Sequence, residues 1–229
     1  MLKPGEVHVW RVRLDLIRFP PSDDDAPTLG PPSFPPSYLT LDEAASAARF
    51  HSADEGRRYL LSHLALRAIL GGSVDSITAA PLEFAVTEKG KPYLPFAPEV
   101  KFSLSRSRDL ALIALALGID VGVDVERMRP MPDCVAVAAR FFPPSEAAAL
   151  QATPAERREP EFFRRWTRIE AVLKARGIGL HGAGEELEGP WTVREVDVGP
   201  GFAGAVAAQS AELVLMLHEF GANQFGANT

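Results

Sequence analysis

The reading turns on residues 162–180, FFRRWTRIEAVLKARGIGL. Phe162, Trp166, Ile169 and Leu173 recur at helical spacing and predict one helix with a buried stripe, ending at Gly177 with Gly179 just beyond. Glycine past the last apolar residue is a common helix stop, and Lys174 and Arg176 suit the negative C-terminal end. On a wheel of about 100° per residue, Glu170 falls roughly 60° from the centre of the stripe. Lys174 lies one turn further on the same shoulder. Such a pair serves either as a surface ion pair or as part of a site, and the helix alone leaves both readings open.

Working upstream, Val121–Glu126 (VGVDVE) alternates as a strand does, with Val121, Val123 and Val125 on one face and Gly122, Asp124 and Glu126 on the other. Two carboxylates sharing a sheet face repel, and a divalent cation makes that pair favourable; a polar edge-strand face is the bland alternative. Leu110–Leu117 (LALIALAL) is apolar on both faces, as a central strand would be, and the turn Gly118-Ile119-Asp120 predicts a hairpin with Val121–Glu126. Lys101–Ser107 alternates, Leu82–Val86 is a short strand, and residues 87–94 read as turn and strand. Two helices precede these. One starts at Leu41 with Thr40 and Glu43 as a capping box; the other runs from Ala53 to Leu70 and is stopped by Gly71-Gly72. Arg49, Arg57, Arg58 and Arg67 are expected to be largely solvated. Val7–Leu16 is a half-buried strand, followed by a proline-rich, acidic loop over residues 19–37.

Downstream of the acidic strand, helices are expected at Val135–Phe142 and from Pro144, with residues 152–160 as a charged linker. Glu146 in that helix start is ordinarily a surface acid favoured by the helix dipole. Strands follow at Trp191–Val198 and Gly204–Ala208, and Ala211–Phe220 closes the fold before a frayed tail. Each half thus runs helix and then strands. The expectation is an α+β fold of two pseudo-symmetric lobes, each a small, largely antiparallel sheet packed with helices. The boundaries are residues 1–117, 118–218 carrying the metal site, and a tail over 219–229.

The chain has 229 residues, 46% of them hydrophobic, enough for two small lobes with real cores. A formal net charge of −6 argues against nucleic-acid binding through bulk charge, so an anionic ligand needs a local basic site or a metal ion. No long uncharged apolar run marks a membrane span and no signal-peptide core opens the chain. The single cysteine, Cys134, excludes an internal disulfide and a thiolate cage, which fits a cytoplasmic location. GxSxG, GxxxxGK[ST], HExxH, CxxC and GxGxxG are all absent, and His8, His51, His63, His181 and His218 show no ligand spacing. What remains is Asp124, Glu126 and Glu170 with Lys174 beside them. Three carboxylates suit a hard cation such as magnesium with open positions for phosphate oxygens, which suggests metal-dependent phosphoryl-type transfer.

Gly90-Lys91-Pro92, Phe102-Ser103-Leu104-Ser105-Arg106-Ser107, Gly122-Val123-Asp124-Val125-Glu126, Phe141-Phe142 with Glu146, Trp166–Lys174 and Gly177-Ile178-Gly179-Leu180 come in one order. Together they resemble the motifs of the 4′-phosphopantetheinyl transferase family, the two-lobed monomeric type that activates surfactin synthetase. The resemblance covers roughly Arg49 to Ala207. It implies transfer of phosphopantetheine from coenzyme A to a serine of an acyl or peptidyl carrier protein, with release of 3′,5′-ADP, in fatty acid, polyketide or nonribosomal peptide synthesis. By resemblance Asp124, Glu126 and Glu170 would hold magnesium, Glu146 or Glu170 would take the serine proton, and Lys174 would steady the diphosphate. Arg49, Arg58, Gly90, Lys91, Pro92, Ser105 and Arg106 would bind the coenzyme. This sequence departs from the family pattern at Arg106, where the family has histidine, at Ile169, where it has lysine, and at Ser103, where it has asparagine. A catalytically impaired coenzyme A- or carrier-binding module of the same fold is the alternative. Docking of an acidic carrier would use a local patch such as Arg157, Arg158, Arg164, Arg165 and Arg168.

Overall fold

A computed structural model describes residues 2–17, 39–73, 82–179 and 190–220. Nine strands, five α-helices and one 3-10 turn (Leu14–Leu16, where the strand from Val7 was expected to continue) occur among these residues: β1 (Glu6–Arg13), α1 (Leu41–Ala47), α2 (Ala53–Ser73), β2 (Ala85–Val86), β3 (Pro92–Tyr93), β4 (Val100–Ser107), β5 (Leu110–Leu117), β6 (Val121–Arg127), α3 (Cys134–Phe141), α4 (Pro144–Gln151), α5 (Ala155–Arg176), β7 (Trp191–Glu195), β8 (Phe202–Gln209) and β9 (Val214–Phe220). The proline-rich loop, His181 and the residues after 220 lie outside the described residues. None of the described helices is long and apolar enough to cross a membrane.

The chain is α+β, as expected, with two main sheets stacked between helices. The first has strand order β4-β5-β1-β9 and the second β6-β8-β7. Pairing is antiparallel throughout except where β9 runs parallel to β1. One core fills the space between the first sheet and α2, with Ile113 and Leu115 of β5 against Leu61, Leu64 and Ile69. A second lies between the sheets, where Val7, Val9, Leu112 and Ala114 meet Val121, Val123, Val125 and Val206. β5 feeds both cores, which is why all but its last residue are buried and why it reads as apolar on both faces. On the outer side of the second sheet, Ala171 and Val172 of α5 pack on Ala205 and Ala207.

Several expectations are corrected here. β6 does not form a hairpin with β5; it pairs with β8 and opens the second sheet. The apolar face of β6 is better buried by crossing to a new layer than by extending a sheet whose inner face it can cover. β9, expected in the second lobe, lies in the first sheet beside β1, and Glu219 and Phe220 belong to it rather than to a tail. α5 begins at Ala155, so residues 155–160 are helix and not linker. Pro160 is tolerated because, near the helix start, it forfeits one intrahelical bond while favourable residues such as Glu156, Arg157 and Arg158 surround it. α2 continues through Gly71-Gly72 to Ser73, its packing outweighing the glycine cost of about 1 kcal/mol each.

Thr40 and Glu43 form the capping box predicted for α1. The same Glu43 accepts at 2.9 Å from Arg67, which is fully buried in α2 rather than solvated, donates to Leu82 O at 2.5 Å and lies over the Phe84 ring. A buried guanidinium needs such pairing, and here it ties α1, α2 and the segment before β2 together.

Candidate functional site

The acidic face of β6 looks onto α5. A Cβ on Gly122 would sit 2.5 Å from the backbone nitrogen of Ala175 and closer still to Ala171 O, so only glycine lets the helix backbone cross the strand there. That close crossing carries Glu170 and Lys174 onto the face shared by Asp124 and Glu126. α5 then ends at Gly177, whose φ of +66° suits glycine.

β4 approaches β6 from the other side without forming a ladder with it. Ser103, Ser105 and Ser107 point at β6 and accept hydrogen bonds from the amides of Val123, Val125 and Arg127 at 3.1, 3.3 and 3.0 Å. The outward amides of an edge strand are thus satisfied by side-chain hydroxyls. Ser105 also donates to Asp124 Oδ1 at 2.8 Å, and Ser107 donates to Glu126 Oε2 at 3.0 Å. Lys174 Nζ donates to Asp124 Oδ1 at 2.6 Å and to Ser105 Oγ at 2.9 Å. Sequence reasoning assigned no role to the hydroxyls of Ser103 and Ser107. The signal was there in the strict period of SxSxS, a polar face on a strand with both faces covered.

Asp124, Glu126, Glu170, Lys174, Ser105, Arg106 and Arg58 line one cavity of about 680 Å³, with Trp166, Ser107, Arg108, Arg127 and Arg129. The carboxylates there feel one another. Burial raises the pKa of Glu126 and then the charge of Asp124 does so; Glu170 is raised by burial, then by Asp124, with Glu126 adding less. Asp124 is 3% exposed, and its Oδ2 is buried with no hydrogen-bond partner. No group of three or more His, Cys, Asp or Glu among the described residues is arranged to hold a metal ion in this structure. The ammonium of Lys174 supplies the local countercharge on Asp124 instead.

A second cavity of about 400 Å³ adjoins the first, sharing Leu104, Arg106 and Lys174, and is lined by Gly90, Lys91, Pro92, His63, Phe84 and Gly177. Arg106 stands between the two with its guanidinium over the rings of Phe50 and Tyr59, and burial lowers its pKa. Lys91 is committed structurally: its ammonium donates to Asp120 at 2.7 Å and to Ala175 O at 2.5 Å, near the C-terminal end of α5. Arg58 reaches the first cavity from α2 while paired with Asp109 at 2.7 Å. Arg49 is exposed just after α1 and lines neither cavity. Glu146 is in the first turn of α4, engaged by Arg165, and also lines neither cavity. Arg165 is additionally bound to Glu161.

The profile of the 4′-phosphopantetheinyl transferase superfamily matches residues 120–205, the stretch carrying Asp124, Glu126, Glu170 and Lys174. The 4′-phosphopantetheinyl transferase HetI of Nostoc sp. is 38% identical over 190 residues, covering 82% of this chain and 75% of that protein. The chain belongs to the 4′-phosphopantetheinyl transferase family. Its likeness to other members extends to a putative 4′-phosphopantetheinyl transferase of Synechocystis sp., 34% identical over 64% of this chain and 60% of that protein. The 4′-phosphopantetheinyl transferase Sfp of Bacillus subtilis is 24% identical over 75% of this chain and 83% of that protein.

Proposed function

We propose that this chain transfers the 4′-phosphopantetheine group of coenzyme A to a serine of a carrier protein. The observation that carries the reading is the convergence of Asp124, Glu126, Glu170 and Lys174 on one cavity in a chain of this family. The smaller cavity, with Gly90, Lys91 and Pro92, takes the nucleotide, and Arg106 at the passage faces its phosphates with a permanent charge. The diphosphate lies against Lys174. The carrier serine oxygen attacks the phosphorus that bears the pantetheine arm; the bond from that phosphorus to the bridging oxygen breaks, and 3′,5′-ADP leaves. The serine proton goes to a carboxylate. Glu170 suits that task better than Glu146, because it lines the cavity and Glu146 does not. Lys174 stabilises the charge that builds on the leaving diphosphate oxygen.

The residues fit a magnesium ion: Asp124 keeps a buried oxygen without a partner, and Glu126 and Glu170 are held at raised pKa by burial and by like charge. Asp124, Glu126 and Glu170 would hold it, and when bound it would neutralise the diphosphate. The three donors line one cavity and do not form a preformed cage. The partners are coenzyme A and an apo acyl or peptidyl carrier protein, and the protein acts as a monomer in the cytoplasm, its two lobes, built on the β4-β5-β1-β9 and β6-β8-β7 sheets, forming one site. All three carboxylates are present beside Lys174, which favours catalysis over a binding-only role. Transfer of labelled coenzyme A to a panel of apo carriers tests the reading. The Glu170→Gln protein should stay folded and lose about 100-fold or more of the activity; retained turnover overturns the assignment.

A further inference from the structure

A third cavity, of about 700 Å³, continues from the first across a shared rim of Arg58, Arg108 and Arg127. The three cavities follow β4. The nucleotide side touches Phe102 to Leu104, the carboxylate cavity spans Leu104 to Arg108, and the third begins at Arg108, about 20 Å of extended chain in all. The far cavity is lined by five arginines, Arg11 and Arg13 joining the three of the rim, against Asp15 and Asp109, and Arg11 is paired with Glu219 at 2.7 Å. Both aspartates are already engaged, by Arg13 and Arg58. Arg108 and Arg127 are exposed and have no ion-pair partner among the described residues, in a chain of net charge −6.

Arg108 carries a second and independent mark. It occupies the two-residue turn between β4 and β5 with φ of +55°, the one non-glycine residue in the left-handed region among the described residues. A glycine would sit there without strain. The turn is held from both sides, Asp109 O accepting from the Leu14 amide at 2.8 Å and Asp109 Oδ1 accepting from Arg58 at 2.7 Å. A bulky side chain kept in a strained turn at the mouth of a site is a functional signature when the strain is observed and not assumed.

We propose that the cleft beyond Arg108 is the docking site for the acidic surface of the carrier protein, with Arg108 and Arg127 as its reading cations. This rests on the transferase reading above. With the nucleotide at one end of the row and the diphosphate in the middle, the serine donor arrives from the other end, where the positive potential stands. Rim charges of this kind act mainly on encounter rate and its salt dependence.

The test compares wild type with Arg108→Gly and Arg127→Ala, using an apo carrier that the wild type modifies, with coenzyme A and carrier varied separately. Both variants should raise the KM for carrier about 10-fold and flatten the fall of kcat/KM with salt. The KM for coenzyme A should stay within about twofold. Arg108→Gly should also raise Tm, separating lost docking from lost folding. An unchanged KM for carrier in both variants overturns the proposal. So does a parallel rise in the KM for coenzyme A, which would assign these cations to the coenzyme. A wild type that modifies no carrier in the panel overturns the transferase reading itself, and the docking site with it.

Discussion

Glu126 and Glu170 are held above the ordinary carboxylate range by burial and by the Asp124 charge, and this gives the protein a definite pH signature. Between the ordinary pKa and the raised one, the folded protein binds more protons than the unfolded chain. Stability therefore falls as pH rises through that window, and the full penalty stands above it. On the proposed reading, a magnesium ion bound by the ionised carboxylates would offset the penalty. Thermal melts with and without magnesium should show a larger rise in Tm at pH 8 than at pH 5, and the Glu126→Gln and Glu170→Gln proteins should lose most of that difference. Ser103 provides the opposite test, for a group that shapes the site without joining its chemistry. Its hydroxyl satisfies the buried Val123 amide. Ser103→Ala should cost about 1–3 kcal/mol in urea unfolding, the cost of a buried donor left unmet, while kcat at saturation is kept.

The crossing of β6 by α5 depends on a single hydrogen in place of a methyl group. Gly122→Ala pushes a Cβ into the backbone of Ala171 and Ala175, which cannot rotate away as a side chain could. Denaturant unfolding should show a loss of about 3 kcal/mol or more, and transfer should fall because Glu170 and Lys174 shift with the helix. This crossing was half legible in the sequence. The alternation of Gly122, Asp124 and Glu126 against three valines gave the strand and its acidic face, and Glu170 with Lys174 gave the facing shoulder of the helix. Which strand paired with which was not legible, since Val121, Val123 and Val125 bury equally well against a hairpin partner or against a second layer. Arg67 was misjudged because an arginine among leucines on a helix reads as a snorkelling surface residue. Its partner Glu43 lies on another helix, and periodicity carries no information about contacts between elements. Arg108 was missed because backbone strain leaves no mark in a one-letter code.

Across the whole molecule, the first sheet is completed by the last described strand. β9 lies parallel to β1, and Phe220 joins the core beneath the sheet. Removing residues from 214 onward should therefore lower Tm substantially and bare the edge of β1, a loss readable by thermal melting and by a rise in aggregation on warming. The two sheets meet along hydroxyls that swing about one torsion each, where a backbone ladder would move only as a block. The middle hydroxyl, Ser105, is also held by Asp124 and Lys174. A diphosphate that draws Lys174 toward itself therefore takes away one of the partners that fix the central pin of the junction. Occupancy of the cleft and tightness of the seam between the halves become a single variable.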